Sequence, residues 1–311
     1  MENMQNQYEE YRAGFIALIG PPNAGKSTFL NAVLGEKIAI VSPKPQTTRT
    51  SITGIRTTAG EQIVFLDTPG IHASRGKLNR FLVDAAWNAV RDANGVILFL
   101  DGARYAGNEK ALERDLRPLA ARLATLDVPM AVALNKVDQV KPKERLLELM
   151  AGCAGLWPGV ELVPVSARTG EGIDGLLQVI REFLPLSPPL FPEDQLSTAS
   201  VRFLASEIIR EKLFLGLEQE LPYNVAVEIE SWEEIPEQNM TMISATIFTS
   251  KNSHKGMIVG RQGSNLKKVG QQARQEIRAL LGGKVHLELW VKVREGWTED
   301  GRFMASLGLG A

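Results

Sequence analysis

Short apolar runs and longer mixed stretches alternate through the first two thirds of the chain. Residues 15–19, 63–66, 96–100, 130–134 and 162–165 are uniformly apolar and too short for buried helices, so they predict buried strands. Between them, residues 76–92, 108–123, 142–154 and 172–184 carry apolar side chains at the spacing of amphipathic helices. That alternation predicts an α/β unit, a mostly parallel sheet with helices on both faces, to which residues 51–56 add an edge strand. The rhythm stops at Leu184. Four prolines fall within residues 185–192, ahead of a polar stretch, and predict a linker. Beyond it come one helix (201–217), two alternating strands (223–232 and 240–250), helical material around a glycine-rich turn, and a final strand (285–294). This order predicts a smaller α+β unit. The expected divisions are a tail (1–12), the α/β domain (13–184), the linker (185–200), the α+β domain (201–296) and a C-terminal tail (297–311).

A length of 311 residues supports two hydrophobic cores rather than one. The formal net charge of -1 removes any argument from overall basicity, so a nucleic-acid surface has to be local. The single cysteine, Cys153, has no partner for a disulfide and no Cys/His cluster for a metal. Residues 1–12 are polar, and no stretch is long and apolar enough to span a bilayer, so a cytoplasmic location is expected.

The chemistry concentrates at strand ends. Gly20-Pro21-Pro22-Asn23-Ala24-Gly25-Lys26-Ser27, with Thr28 completing the candidate site, follows a predicted strand and precedes a helix, the context a phosphate loop requires. Backbone N–H groups would cradle phosphates there, Lys26 would reach the outer phosphates, and the Ser27 hydroxyl would ligate Mg²⁺. Asp67-Thr68-Pro69-Gly70 follows the next strand, placing a carboxylate near the metal's water shell and a glycine N–H near a γ-phosphate. Asn135-Lys136-Val137-Asp138 supplies a carboxylate able to accept from N1–H and the 2-amino group of guanine, which adenine does not offer. Ser166-Ala167-Arg168 would close over the base.

In the second domain, Gly260-Arg261-Gln262-Gly263 lies between two helical stretches and matches the GXXG loop of a KH domain, where glycines let a helix N-terminus approach a sugar-phosphate backbone. From Lys251 to Arg294 there are ten basic residues, among them Lys255, Lys267 and Lys268, against only Glu276 and Glu288, which predicts one positive face. Aromatic residues are scarce near the loop, so Ile258 and Val259 are the expected base contacts.

These elements, in this order, resemble the translation-factor-related branch of the P-loop GTPases, and with the KH loop the chain resembles the Era subfamily over nearly its whole length. Glu207-Ile208-Ile209-Arg210-Glu211-Lys212 and Val285-His286-Leu287-Glu288-Leu289-Trp290-Val291 strengthen that resemblance. It implies a type II KH domain, a slow Mg²⁺-dependent GTPase turning over on the order of 10⁻³ s⁻¹ when unassisted, and Lys26, Thr48 and Gly70 as catalytic residues. It also implies that the threonine of the switch loop, Thr48 with Thr47 as alternate, joins Ser27 and Asp67 at the metal. The residue after Gly70 is Ile71 rather than a water-orienting glutamine, and K⁺ held in part by Asn23 is an open alternative. His72 reads as a solvated turn residue. The implied partners are GTP and GDP, the small ribosomal subunit and its RNA near the 3′ end, for a monomer acting in subunit assembly; peripheral contact with the inner face of the cell membrane stays open. The competing reading is an RNA-binding protein whose nucleotide domain is structural or regulatory, with negligible turnover.

Overall fold

The computed structural model describes residues 10–71 and 76–309, so His72 and the extreme termini fall outside it. By its internal contacts the chain forms two compact units.

The first unit holds a six-stranded sheet: β1 (Arg12–Ile19), β2 (Ile52–Thr57), β3 (Glu61–Asp67), β4 (Gly95–Asp101), β5 (Met130–Asn135) and β6 (Glu161–Pro164), in the order β2-β3-β1-β4-β5-β6. Only β2 runs antiparallel, at the edge beside β3. The accompanying helices are α1 (Lys26–Leu34), α2 (Lys77–Arg91, in this unit from Val83), α3 (Glu109–Leu123), α4 (Arg145–Leu156) and α5 (Ile173–Phe183). The inner strands β1, β3, β4 and β5 are largely buried on both faces, which is why they read as apolar runs. Leu98 and Leu100 point into a core shared with Leu112 and Leu116 of α3 and Leu149 and Cys153 of α4. Phe99, between them in β4, points the other way and packs on Phe29 of α1 with ring centroids 5.0 Å apart. Because β1, β3, β4 and β5 are parallel, the turns that follow them leave the same edge of the sheet, where α/β proteins bind ligands.

The proline-rich segment belongs to this unit up to Thr198 and is stitched along it. Gln62, fully buried in β3, accepts from the backbone N–H groups of Leu190 (2.7 Å) and Phe191 (2.9 Å) and donates to Phe191 O (2.8 Å). Ser197 Oγ donates to Thr53 O at 2.6 Å.

The second unit contains α6 (Val201–Gly216), β7 (Val225–Ile235), β8 (Met240–Thr249), α7 (Asn252–Val259), α8 (Ser264–Leu281), β9 (Lys284–Val293) and α9 (Gly301–Ser306). The sheet order is β7-β8-β9, antiparallel then parallel. Ile209 and Leu213 of α6, Ile258 of α7 and Ala273 and Ile277 of α8 meet Ile243, Ala245 and Ile247 of β8 in its core. Residues 39–50 and the stretch ending at Leu82, though early in sequence, group with this unit.

The expected C-terminal tail is instead a folded cap. Asp300 accepts from the N–H groups of Arg302 and Phe303, both at 3.1 Å, and starts α9. Trp297, Phe303, Met304 and Leu309 then close over Ala226 and Phe248, with Leu78 and Leu82 in the same cluster. The aromatic pair Trp297 and Phe303 drives this closure, and the indole N–H of Trp297 donates to Asn224 O at 3.1 Å. Trp297→Ala is expected to destabilise the second unit by about 3–5 kcal/mol, measured as a shift of one of two transitions in urea unfolding followed by circular dichroism.

Candidate functional site

The loop after β1 is held open by its own lysine. Lys26, at the start of α1, is buried, and its ammonium donates across the loop to Gly20 O (3.2 Å) and Pro21 O (3.3 Å). Burial pulls its pKa down to about 8, against the opposing pull of Asp67. Asp67, at the end of β3, is fully buried and takes the Ser27 hydroxyl on Oδ2 at 2.5 Å. Its other oxygen, Oδ1, is buried without a hydrogen-bond partner among the described residues. Burial therefore raises this carboxyl to about 6, despite Lys26 and Ser27. A carboxylate left short of positive charge beside a hydroxyl is a hard-oxygen site suited to Mg²⁺.

The next turn is tied to the first. Thr68 Oγ1 donates to Leu18 O at 2.7 Å, and Ile71 N donates to Gly20 O at 2.9 Å. Gly70 lies so close to Pro22 that a Cβ there would stand 2.7 Å from its Cα. Ile71 packs against the core, so its side chain is structural where a glutamine would face water.

Asn135 braces the third turn. Its amide donates to Ala24 O (2.7 Å), and its Oδ1 accepts from Ala167 N (2.9 Å), joining the phosphate loop to residues 166–168. The approach is so tight that a Cβ on Gly25, itself at φ 94, would lie 2.1 Å from Asn135 Nδ2. Lys136 stands in the left-handed region at φ 65 and pairs with Asp101 at 2.6 Å. Beyond Val137, the Asp138 carboxylate accepts from Ser166 Oγ at 2.7 Å and pairs with Arg168. Burial alone would raise the Asp138 pKa, but Ser166 and Arg168 outweigh it and hold the carboxyl below its ordinary value. The structure thus brings together the residues expected from 20–28, 67–71, 135–138 and 166–168. Thr47 and Thr48 are buried in the segment that groups with the second unit. The bracing role of Asn135 was not foreseen, nor was that of Gln62; both are buried amides, a type whose partners sequence spacing does not reveal.

In the second unit, Gly260 (φ 74), Gln262 (φ 49) and Gly263 (φ 77) form the turn between α7 and α8. The N-terminus of α8 has no side-chain cap, although the Ser264 N–H donates back to Arg261 O. Lys255, Arg261, Gln262, Lys267, Lys268, Arg274 and Arg278 are exposed on these elements. Two expectations are corrected. Ile258 is fully buried in the core, because it lies one turn after buried His254 on the inward face of α7, so it cannot meet a base. Val259, next to the loop, is only partly buried and keeps its expected place, and Met257 beside it is exposed. The positive face is also narrower than the charge count suggests, since Lys292 pairs with Glu230 (2.7 Å) and Arg294 with Asp300 (2.7 Å).

A phosphate loop joined to a guanine-type Asn-Lys-x-Asp turn on an α/β unit, followed by a GXXG loop on an α+β unit, defines a P-loop GTPase with a KH domain. The 50S ribosome-binding GTPase family profile matches residues 15–136 and the KH domain profile residues 220–298. GTPase Era of Nitratidesulfovibrio vulgaris strain Miyazaki F is 50% identical over 300 residues, 96% of this chain and 98% of that one. GTPase Era of Geobacter metallireducens is 44% identical over 298 residues, with coverages of 96% and 98%. A crystal structure of Era with MgGDPNP and nucleotides 1506-1542 of 16S ribosomal RNA has a TM-score of 0.88 at 34% identity, over 97% of this chain and 100% of that one. The chain belongs to the Era family of GTPases. An inert nucleotide domain is accordingly set aside.

Asn135→Asp puts a carboxylate against Ala24 O in place of an amide donor and leaves that carbonyl unpaired. We expect nucleotide affinity to fall at least tenfold, in line with about 1–3 kcal/mol for an unsatisfied buried group, measured by titration with a fluorescent GDP.

Proposed function

We propose that this chain is a GTP-driven switch that binds small-subunit ribosomal RNA near its 3′ end and acts in the cytoplasm during small-subunit assembly. The observation that carries the reading is the convergence of three strand-end turns on Asn135, which leaves Asp138 poised for a guanine and Lys26 for phosphates. In this reading residues 20–28 cradle the phosphates, residues 67–71 sense the terminal one, and Asp138 selects the base with residues 166–168 above it. Lys26, released from Gly20 O and Pro21 O, neutralises the phosphate oxygens, and Gly70 N–H donates to the γ-phosphate. Ser27, Asp67 through water, and Thr48 would hold Mg²⁺, which when bound offsets charge on the β- and γ-phosphates. The unpartnered Asp67 Oδ1 supports that assignment. The uncapped N-terminus of α8 and Arg261, Gln262, Lys255, Lys267 and Lys268 would take the RNA backbone, with Val259 and Met257 against bases. The relative solved with MgGDPNP and 16S ribosomal RNA supports both ligands. Among the described residues no helix is long and apolar enough to cross a membrane.

Asp138→Asn should weaken GTP binding and improve binding of xanthosine triphosphate, because the amide can donate to the 2-oxo group that replaces guanine's amine. A competition assay with both nucleotides checks it; unchanged preference for GTP would refute the base-site assignment. Gly263→Asp should abolish RNA binding while leaving GTP binding intact. Open space surrounds a Cβ at that position, so the effect would come from the new charge and the positive φ rather than a clash. Filter binding at fixed salt, with an RNA carrying the small-subunit 3′ end, is the measurement.

A further inference from the structure

The β7-β8-β9 sheet has helices on one face only. Leu287, Leu289 and Val291 of β9 point inwards, to the core that α6, α7 and α8 cover. The alternate residues, among them Glu288, Trp290 and Lys292, stand on the outer face. There α9 covers one end, with Phe303 edge-on to Phe248 of β8 at a centroid distance of 5.0 Å. Trp290 lies one row further along, opposite Thr246, and is 57% exposed. By contrast, Trp87, Trp157 and Trp297 are each less than a tenth exposed. An indole left in water at mid-strand adds little to folding, since the gain comes from area removed from water. Tryptophan in that position is the residue type that anchors protein interfaces.

The charge around Trp290 is negative. Glu228 shares its row of the sheet, across Thr246, and Glu233 stands further along β7 on the same face. Glu288 lies two residues before it on β9. Lys292 is already taken by Glu230 at 2.7 Å, which also accepts from the Thr246 hydroxyl at 2.7 Å, and His286 faces Glu288 at 3.3 Å. Glu228 and Glu233 make no ion pair among the described residues. The exposed cations of α7 and α8, such as Lys267, Lys268 and Arg274, belong to the helices instead. The second unit is therefore two-faced, cationic on its helices and anionic on its outer sheet. Phosphate chains suit the first face and are repelled by the second. The cap on this sheet shows the chemistry in the chain's own residues: Arg294 lays its guanidinium over the Phe303 ring at 3.9 Å while it pairs with Asp300 at 2.7 Å. One row along, Trp290 presents a stronger ring for a cation, and Glu228 and Glu288 present the carboxylates.

We propose that the outer sheet face around Trp290 is a docking surface for an arginine-bearing segment of a basic protein partner. A guanidinium of that segment stacks on the indole and pairs with Glu228 or Glu288. Arginine fits better than lysine because its planar fork stacks and pairs at once. This surface needs neither nucleotide nor RNA on the protein, so it stands apart from the GTPase and RNA readings.

The test uses the full chain and two synthetic dodecapeptides, one of alternating arginine and glycine, the other with lysine in place of arginine. Single-stranded oligouridylate is the third probe. Binding is followed by NMR through the indole N–H resonances, with the Trp290 signal assigned by its loss in Trp290→Phe. The arginine peptide should move that signal saturably and bind about fivefold more tightly than the lysine peptide. Trp290→Ala should lose about fivefold in affinity for the arginine peptide, and Trp290→Phe, which keeps a weaker ring, should lose less. Glu228→Gln combined with Glu288→Gln should weaken both peptides, while GDP affinity stays the same in every variant. Equal affinity for the two peptides would overturn the proposal, and so would arginine-peptide affinity unchanged in Trp290→Ala. A Trp290 signal moved by oligouridylate and not by the arginine peptide would make this face a base-stacking surface and overturn it as well.

Discussion

The carboxamide of Asn135 holds the nucleotide site in register. One end of it grips the carbonyl of Ala24 and the other the N–H of Ala167, so two loops that are 143 residues apart in sequence (167 minus 24) move as one. Parallel pairing of β1, β3, β4 and β5 brings these loops to one edge, but pairing alone sets position only to within the freedom of each turn. A buried amide with both ends satisfied removes that freedom, since either end would be expensive to leave unpaired. It also explains why residue 25 must lack a side chain.

Around this brace the site is electrostatically unfinished. Lys26 and Asp67 are both buried and both shifted towards their neutral forms, each only partly relieved by the other. Asp138 is the opposite case, kept ionised by Ser166 and Arg168. In the proposed reading Asp138 would meet a neutral base with a standing negative charge, and Lys26 and Asp67 would be completed by a phosphate and a cation. Such preorganisation places the desolvation of charges in the folding of the protein, ahead of ligand arrival.

Much of this was legible in the sequence because phosphate and guanine loops are local strings at the ends of apolar runs, and the runs themselves set the sheet. Strand and helix positions followed from periodicity to within a few residues, as with α5, expected over 172–184 and found at Ile173–Phe183. The failures have physical causes. Ile258 looked exposed beside a glycine turn, yet four residues from His254 on a short helix it must face inward. Residues after Trp297 looked like a tail because α9 is too short for a helical pattern to stand out, although the spaced aromatics Trp297 and Phe303 were a visible sign of packing. The partners of Arg49, and the Thr47 carbonyl that Arg210 meets, lie more than 160 positions away, beyond any periodicity. Their only trace was a run of charges inside α6 where apolar residues belong.

The segment 39–50 has a consequence for how the protein is made. Its backbone at Val41 waits for Glu211, 170 residues later in the chain. At bacterial-range synthesis rates of 5–20 residues per second, that interval is roughly 10–30 s on the ribosome. During it the sheet of the first unit can already close, since every strand it needs has emerged by Pro164. The nascent chain therefore passes through a stage in which the sheet of the first unit is built while residues 39–50 have no surface to rest on.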